Sequence, residues 1–280
     1  MESKTTKQTV FNVIAYVFLT LLAVIILYPL LFVISGAFSK GTSLAQMNIV
    51  PFTNGVTFEH FKHIFNNTDY PTWYTNTIII AFFSSLSTVI VASLGAYTFS
   101  RFRFTMKKSL MLSMLVLQIF PSFIGMVAIY VILQKIGGID TLWGLVLVYV
   151  AGNIPYNTWL VKSYLDTIPR SLDEAARIDG ASHFTIFVRV VMPIAKPIVI
   201  FLAITSFTGP WMDYIMPKYV LRSAEKKTLA MGLFSFIDGK NGEFTNFAAG
   251  ALLVAIPFII FFALSQNMMV TSLGGAAVKE

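Results

Sequence analysis

Glu174-Ala-Ala-Arg-Ile-Asp-Gly180 and Val190-Val-Met-Pro193 form the most informative stretch of this 280-residue chain. Both segments lie in a charged region between two long apolar runs, which predicts a loop at a membrane surface. Ser171 is predicted to cap a helix, with Glu174 completing a capping box, and Gly180 is predicted to end it in a left-handed turn. A second short helix is expected from Ser182 to Pro193.

The two helices are expected to form a protruding knob whose small side chains, Ala175 and Ala176, lie flush in the groove of a soluble partner. A structural alternative needs no partner. In that interpretation Glu174 only caps the helix, and the two alanines are present only because alanine favours helix.

Composition places the chain in a membrane. Hydrophobic residues make up 56% and charged residues only 12%, against about 25% charged residues in an average soluble domain. Because the chain contains no cysteine, it offers neither disulfides nor a thiolate site. His60, His63 and His183 are scattered along the sequence, so no metal site is expected.

Charge-free gaps define six predicted transmembrane helices within one transmembrane domain, residues 1–280. Lipid requires each backbone group to be paired within the protein, which favours helices for runs of this length. The fifth span contains Asp213, so that crossing must accommodate a carboxylate or stop just short of it. The predicted spans are residues 12–38, 74–100, 109–134, 142–164, 197–217 and 246–271, with a cytoplasmic loop at 165–196.

Lysine and arginine in short loops set the predicted orientation. The tightest cluster, Arg101, Arg103, Lys107 and Lys108, places the loop between spans two and three in the cytoplasm, together with both termini and residues 165–196. The net charge of +7 is then a topology signal, with no need for nucleic acid. One external segment opposes the usual bias, because it contains Lys218, Arg222, Lys226, Lys227 and Lys240.

Polar residues inside the spans are candidates for a translocation path. Gln118 either lines such a path or forms an interhelical hydrogen bond that locks the bundle. In the fourth span, Pro155 is expected to break the helix, so that Asn153, Tyr156 and Asn157 either line a cavity or pack around a kink. Asp213 is either near the path or a buried hydrogen-bond anchor.

A family resemblance extends along nearly the whole chain. Glu-Ala-Ala, three residues, Gly, nine residues and Ile-x-Leu-Pro mark the permease subunits of binding-protein-dependent ABC importers, and this chain matches with Val190 and Met192 as conservative replacements. It is most similar to MalG-type permeases of maltose and maltodextrin importers. The stretches that support this likeness are Gln118-Ile-Phe-Pro121, Val161-Lys-Ser-Tyr-Leu-Asp-Thr-Ile168, Thr228-Leu-Ala-Met-Gly232 and Val270-Thr-Ser-Leu-Gly-Gly-Ala-Ala-Val-Lys279.

The resemblance implies an all-α membrane protein with six transmembrane helices of the ABC type I importer permease fold, and a cytoplasmic coupling-helix loop between helices 4 and 5. It implies a bacterial cytoplasmic membrane and four kinds of protein or sugar partner: a second, MalF-like permease, two ATPase subunits, an extracytoplasmic solute-binding protein, and a sugar. By motif match, the ATPase contact would comprise Glu174, Ala175, Ala176, Gly180 and the tail residue Lys279. The binding-protein contact would comprise Asp238, Gly239, Asn241 and Gly242.

No G-x-x-x-x-G-K-[ST] loop is present in the sequence, so ATP and Mg²⁺ are expected on a separate ATPase, and no cofactor is expected in this chain. An ion-coupled secondary transporter is the first rival. It would need internal repeats and several intramembrane ionisable groups, and only Asp213 is available. An intramembrane enzyme is the second rival, and the sequence shows no convergent acid pair, metal cluster or nucleophile with a base.

Overall fold

The computed structural model describes residues 6–119, 122–238 and 242–277, and their regular secondary structure is helical. In chain order the helices are α1 Thr6–Phe38, α2 Glu59–Asn66, α3 Tyr70–Arg101, α4 Lys107–Ile119, α5 Ser122–Lys135, α6 Leu142–Leu165, α7 Ser171–Ile178, α8 His183–Ile186, α9 Met192–Ile194, α10 Lys196–Met212, α11 Ile215–Val220, α12 Leu229–Ile237 and α13 Phe244–Ala277. A π-helical turn, Phe187–Val191, connects α8 to α9.

The chain groups into two compact units, described separately below. The first comprises residues 1–68 and 233–255, and the second comprises 69–232 and 256–280. The prediction of one domain over residues 1–280 stays a prediction.

In the first unit, the buried imidazole of His60 joins three segments. Its Nδ1 lies 2.9 Å from Asn246 Oδ1, and its Nε2 lies 2.8 Å from the Ser39 carbonyl. Asn246 in turn donates to Glu243 Oε2 over 2.7 Å, which fixes the orientation of its amide. These bonds tie the start of α13 to α2 and to the end of α1.

The second unit is built on α3, which packs along α6 and α10. Small buried residues of α3, including Ala92 and Ala96, permit this close approach. At Gly95 an added Cβ would meet Thr158 of α6 at 3.5 Å, an ordinary van der Waals distance. The core near one end of α3 contains large apolar side chains from α6 and from the segment after α7, among them Leu165, Ile186 and Leu202.

By length and composition, three helical segments in the described part of the chain could cross a membrane: Gln8–Phe38, Tyr70–Arg101 and Phe244–Phe261. The number rises to five if each bent helix pair, α4 with α5 and His183–Ile194 with α10, is taken as one span. The fourth predicted span is one helix, α6, of 24 residues. Its length of about 36 Å suffices for a crossing, but its central segment contains Asn153 and Asn157.

Three details differ from the sequence predictions. The third span is described as two helices, α4 and α5, on either side of Phe120 and Pro121, which lie outside the described residues. Pro155 does not break the fourth span, because α6 continues through it. The fifth span does not reach residue 217, since α10 ends at Met212, just short of Asp213, which is one of the two outcomes that the sequence left open. The reason is that the Asp213 carboxylate accepts hydrogen bonds from the backbone at the start of a separate helix, α11.

Candidate functional site

The loop at residues 165–196 contains the predicted knob. Its first helix, α7, begins at Ser171, and Arg170 occupies the capping position without a side-chain hydrogen bond. The predicted capping box of Ser171 and Glu174 is therefore wrong. The Arg170 residue is already in helical conformation, so its carbonyl accepts the Glu174 N–H at 3.0 Å and the cap is shifted by one residue.

Gly180 ends α7 in the predicted left-handed turn, with φ of +82°. The Ala181 N–H donates to the Ala176 carbonyl at 2.9 Å and the Gly180 N–H donates to the Arg177 carbonyl at 3.0 Å. This pair of bonds is the Schellman motif, which favours glycine at the left-handed position. The second helix also begins as predicted, because Ser182 Oγ accepts the Thr185 N–H.

The knob exposes most of the predicted docking residues. Glu174, Ala175 and Gly180 are exposed, whereas Ala176 is half-buried and packs against the core of its own chain. The sequence analysis missed two apolar side chains on the same knob, Ile178 at 87% exposure and Phe184 at 70%. Their hydrophobicity could have identified them. A short polar loop cannot bury all of its apolar side chains, so some of them are expected on its surface.

One arginine fastens the knob to the end of α3. Arg101 Nε lies 2.7 Å from Asp173 Oδ2, and both side chains are largely buried. The same guanidinium donates to the carbonyls of Leu165 at 3.1 Å and Ile168 at 3.2 Å, at and just beyond the end of α6. Arg170, just before α7, adds a second link to α3 by donating to the Ser100 carbonyl at 2.8 Å. The loop is therefore held rigidly against α3 and α6.

A second polar pair lies beside this contact. Asp166 accepts the Ser100 hydroxyl at 2.6 Å and pairs with Lys162 at 2.5 Å. Burial opposes ionisation of this carboxyl, but the hydrogen bonds from Lys162 and Ser100 prevail and lower its pKa below the usual value. Hydrogen bonding therefore favours the ionised form of Asp166 at the junction of α3 and α6.

The opposite end of α3 has its own polar cluster, centred on Asp140. Hydrogen bonds from the Ser223 hydroxyl and from the backbone N–H groups of Ser223 and Arg222 hold the Asp140 pKa far below its usual range. Lys226 donates to the Asp140 carbonyl at 2.7 Å. Part of the unexpected positive charge in residues 218–240 is thus paired with this carboxylate.

A cavity of about 990 Å³ lies within the second unit, between α4, α5, α6 and the start of α11. Three of the predicted translocation-path residues line it: Gln118, Asn153 and Asp213. The other two do not. Tyr156 is exposed on the outside of α6, and Asn157 is buried, where it donates to the Asn153 carbonyl at 2.8 Å.

Pro155 and Ala151 also line the cavity. Since proline has no N–H, the Ala151 carbonyl lacks its usual helical donor four residues on.

Tyr149, which the sequence analysis missed, organises the cavity wall. Its hydroxyl donates to Asp213 Oδ2 at 2.9 Å. Asp213 Oδ1 accepts the Ile215 N–H at 2.9 Å and the Met216 N–H at 3.2 Å. The carboxylate therefore joins α6 to α11 through hydrogen bonds, and it also lines the cavity, so both roles that the sequence left open for Asp213 stay predictions. A tyrosine in an apolar helix gave no sequence signal for this contact.

Part of the predicted binding-protein loop is visible in the first unit. Asp238 is exposed and Gly242 is half-buried, whereas Gly239 and Asn241 lie outside the described residues, as does the tail residue Lys279. The Glu243 N–H donates to the Phe236 carbonyl at 2.7 Å, which draws the two ends of this loop together. Among the described residues, no group of three or more metal-ligating side chains is found.

Residues 88–273 match the model of a protein family described as the binding-protein-dependent transport system inner membrane component. The chain is 41% identical to the maltodextrin transport system permease protein MdxG of Bacillus subtilis, over 96% of each chain. It is 39% identical to the galactooligosaccharides transport system permease protein GanQ of the same organism, over 95% of this chain and 94% of that one.

Among solved structures, the chain is similar to a bacterial ABC transporter involved in the import of the acidic polysaccharide alginate. The TM-score is 0.82 at 24% identity, over 95% of this chain and 99% of that one. This likeness confirms the predicted fold class of an ABC importer permease.

Proposed function

We propose that this chain imports maltodextrin or a related oligosaccharide. It belongs to the family of inner membrane components of binding-protein-dependent transport systems and is a non-catalytic permease subunit of an ABC importer. It would form half of the translocation path and couple that path to a separate ATPase. The names of its relatives supply the sugar class, since both MdxG and GanQ are permeases of oligosaccharide systems.

The exposed face of α7 is the observation that carries the coupling role. Glu174, Ala175 and Gly180 lie on a knob that is fixed to the end of α3 by the pair of Arg101 and Asp173. Small exposed side chains permit close approach of a partner surface, and Ile178 adds an apolar contact of the kind found at interface centres. The ATPase cleft is the proposed occupant.

The assembly that we propose has a second, MalF-like permease, two ATPase subunits and an extracytoplasmic solute-binding protein. ATP and Mg²⁺ would be held by the ATPases, so this chain would need no cofactor. Closure of the ATPases would displace the knob, and the helices would move between inward-open and outward-open states by rigid-body rotation. The binding protein would contact the loop around Asp238 and Gly242.

The knob is proposed to face the cytoplasm, together with both termini. Arg101 supports this orientation because it belongs both to the positive cluster that predicts the cytoplasmic side and to the contact with α7. Asn76, near the other end of α3, donates to the carbonyls of Glu225 and Lys227. The 25 residues from Asn76 to Arg101 span about 38 Å of helix, enough to separate two membrane faces.

The cavity lined by Gln118, Asn153 and Asp213 is proposed as part of the sugar path. Its wall is mainly apolar with a few polar groups, a composition typical of small-molecule sites. The ion-coupled carrier considered above gains no support, because the carboxylate of Asp213 already accepts hydrogen bonds from three donors.

Co-purification with the ATPase subunit tests the coupling role. Glu174→Lys reverses the charge on the knob. Gly180→Pro forbids the left-handed conformation and removes the Gly180 N–H donor. We expect both variants to insert normally and to lose the ATPase. Glu225→Lys, an equal charge change on an exposed residue at the other end of the unit, should retain it. Full recovery of the ATPase with both knob variants would contradict the proposed docking site.

Uptake by proteoliposomes tests the sugar class. The complete complex, with ATP enclosed on the ATPase side and the binding protein outside, should accumulate maltotetraose in preference to a galacto-oligosaccharide of equal length. The reverse preference would assign the chain to the second sugar class, and uptake without ATP would refute the ABC mechanism.

A further inference from the structure

Arg101 is a structural contact between α3, α6 and α7, a role that the charge pattern of the sequence did not indicate. In the sequence analysis Arg101 served only as a topology signal. In the structure its side chain is 7% exposed and contacts three elements: Asp173 of α7, the Leu165 carbonyl of α6 and the Ile168 carbonyl just beyond it. A residue needed only for the positive-inside bias would lie in solvent.

Asp173 depends on this arginine. Within the described part of the chain neither of its carboxylate oxygens forms a hydrogen bond, and its side chain is 14% exposed. A largely buried carboxylate without hydrogen bonds requires a compensating charge, and Arg101 supplies it. Any movement of α7 that separated the two side chains would leave both charges uncompensated, so α7 and the end of α3 must move together.

The guanidinium geometry adds a second constraint. Arginine presents its donors in a rigid planar fork. Nε lies 2.7 Å from Asp173 Oδ2, while the two terminal nitrogens donate to the carbonyls of Leu165 and Ile168. One rigid group therefore fixes the distance from α7 to both α3 and α6, the two helices that form the centre of the second unit.

We propose that Arg101 is a positioning residue for transport. When α7 is displaced, the Arg101 guanidinium moves α3 and α6 with it, and Asp173 is the residue of the knob that the guanidinium contacts. This inference rests on the proposed function, because it assumes that an ATPase displaces α7. It assigns a role to two residues outside the docking face. Their removal should therefore leave docking intact and uncouple ATP hydrolysis from sugar movement.

The chain offers graded variants. Asp173→Asn keeps the shape of the side chain and removes its charge. Arg101→Gln removes the fork, and Arg101→Lys keeps the charge but cannot contact all three oxygens at once. Asp69→Asn is the matched control, because it makes the same charge change on an exposed residue at the opposite end of α3.

Three quantities should be measured for each reconstituted complex: recovered ATPase, ATP hydrolysed, and sugar transported. We expect Asp173→Asn and Arg101→Gln to recover the ATPase at wild-type level, while the sugar transported per ATP falls about fivefold or more, the lower end of typical coupling between sites. Arg101→Lys should restore part of this ratio, and Asp69→Asn should retain all of it. The double variant Arg101→Gln with Asp173→Asn should lower the ratio no further than Arg101→Gln alone, because both changes break the contact between Arg101 and Asp173.

A wild-type ratio in Asp173→Asn and Arg101→Gln would overturn the inference, as would a parallel fall in hydrolysis and transport with an unchanged ratio, which indicates a purely structural role. Failure of the proposed function would look different. In that case the wild-type complex itself would show no ATP-dependent uptake or would not retain the ATPase.

Discussion

Replacement of Asp213 separates its structural role from a role in the translocation path. Asp213→Ala removes the acceptor for the Ile215 and Met216 N–H groups and leaves the Tyr149 hydroxyl unpaired. Loss of a helix cap costs about 1 kcal/mol, and an unpaired hydroxyl in a buried wall costs about 1 to 3 kcal/mol. The free energy of unfolding should therefore fall by about 2 to 4 kcal/mol in total.

Asp213→Asn should behave differently. The amide oxygen can still accept the two backbone N–H groups, and the Tyr149 hydroxyl can rotate to accept from the amide nitrogen. The expected loss is below about 1 kcal/mol, with sugar uptake close to wild type. Tyr149→Phe should fall between the two variants, because it removes one of three donors and keeps the cap.

Thermal unfolding of the purified complex, followed by uptake in proteoliposomes, distinguishes the roles. The Ala variant should unfold about 5 to 10 °C lower than the wild type, and the Asn variant within about 2 °C of it. An Asn variant of wild-type stability that no longer transports would refute the anchor role, because only the negative charge would then have been lost. An Ala variant of wild-type stability would refute the hydrogen-bond argument.

Three further changes test other parts of the structure. Gly232→Ala should destabilise by about 2 kcal/mol or more, measured as a lower Tm, because its Cβ would lie 1.9 Å from the ring of the buried Trp73; an unchanged Tm would contradict this packing. Asp140→Asn should cost about 1 to 2 kcal/mol at neutral pH. The pKa of Asp140 is depressed in the folded state. Its contribution to the free energy of unfolding should therefore be constant above the unfolded pKa of about 3.9 and should be lost as the pH falls below it. A difference in stability between wild type and Asp140→Asn that shrank between pH 8 and pH 6 would contradict the assignment. Gly180→Ala should weaken recovery of the ATPase less than Gly180→Pro does, since its φ of +82° strains alanine without a steric clash; equal losses would contradict that reasoning.

The knob shows how far local sequence reasoning reaches. Gly180 and Ser182 were predicted correctly because a left-handed turn and a hydroxyl cap depend on a few adjacent residues. The capping box of Ser171 failed by one position, because Arg170 continues the helix backward while its side chain bonds to Ser100. Tertiary contact overrode the local signal.

Long-range contacts were the part that the sequence could not supply. Arg101 and Asp173 are 72 residues apart, and Tyr149 and Asp213 are 64 apart. No local periodicity relates such pairs, so two alternative roles stayed open for Asp213, and Arg101 was assigned only a topological one. The charge-free gaps left open whether the fifth span accommodates the Asp213 carboxylate or stops just short of it, and α10 ends at Met212.

The central claim is that the knob of α7 faces the cytoplasm and is covered by an ATPase, and thiol labelling at Ala175→Cys tests it most directly. The sequence has no cysteine, so the introduced thiol is the only thiol in this chain. A membrane-impermeant maleimide should leave intact cells unlabelled, should label inside-out vesicles that lack the ATPase, and should fail to label vesicles in which the ATPase is bound. Labelling of intact cells, or equal labelling with and without the bound ATPase, would contradict the account.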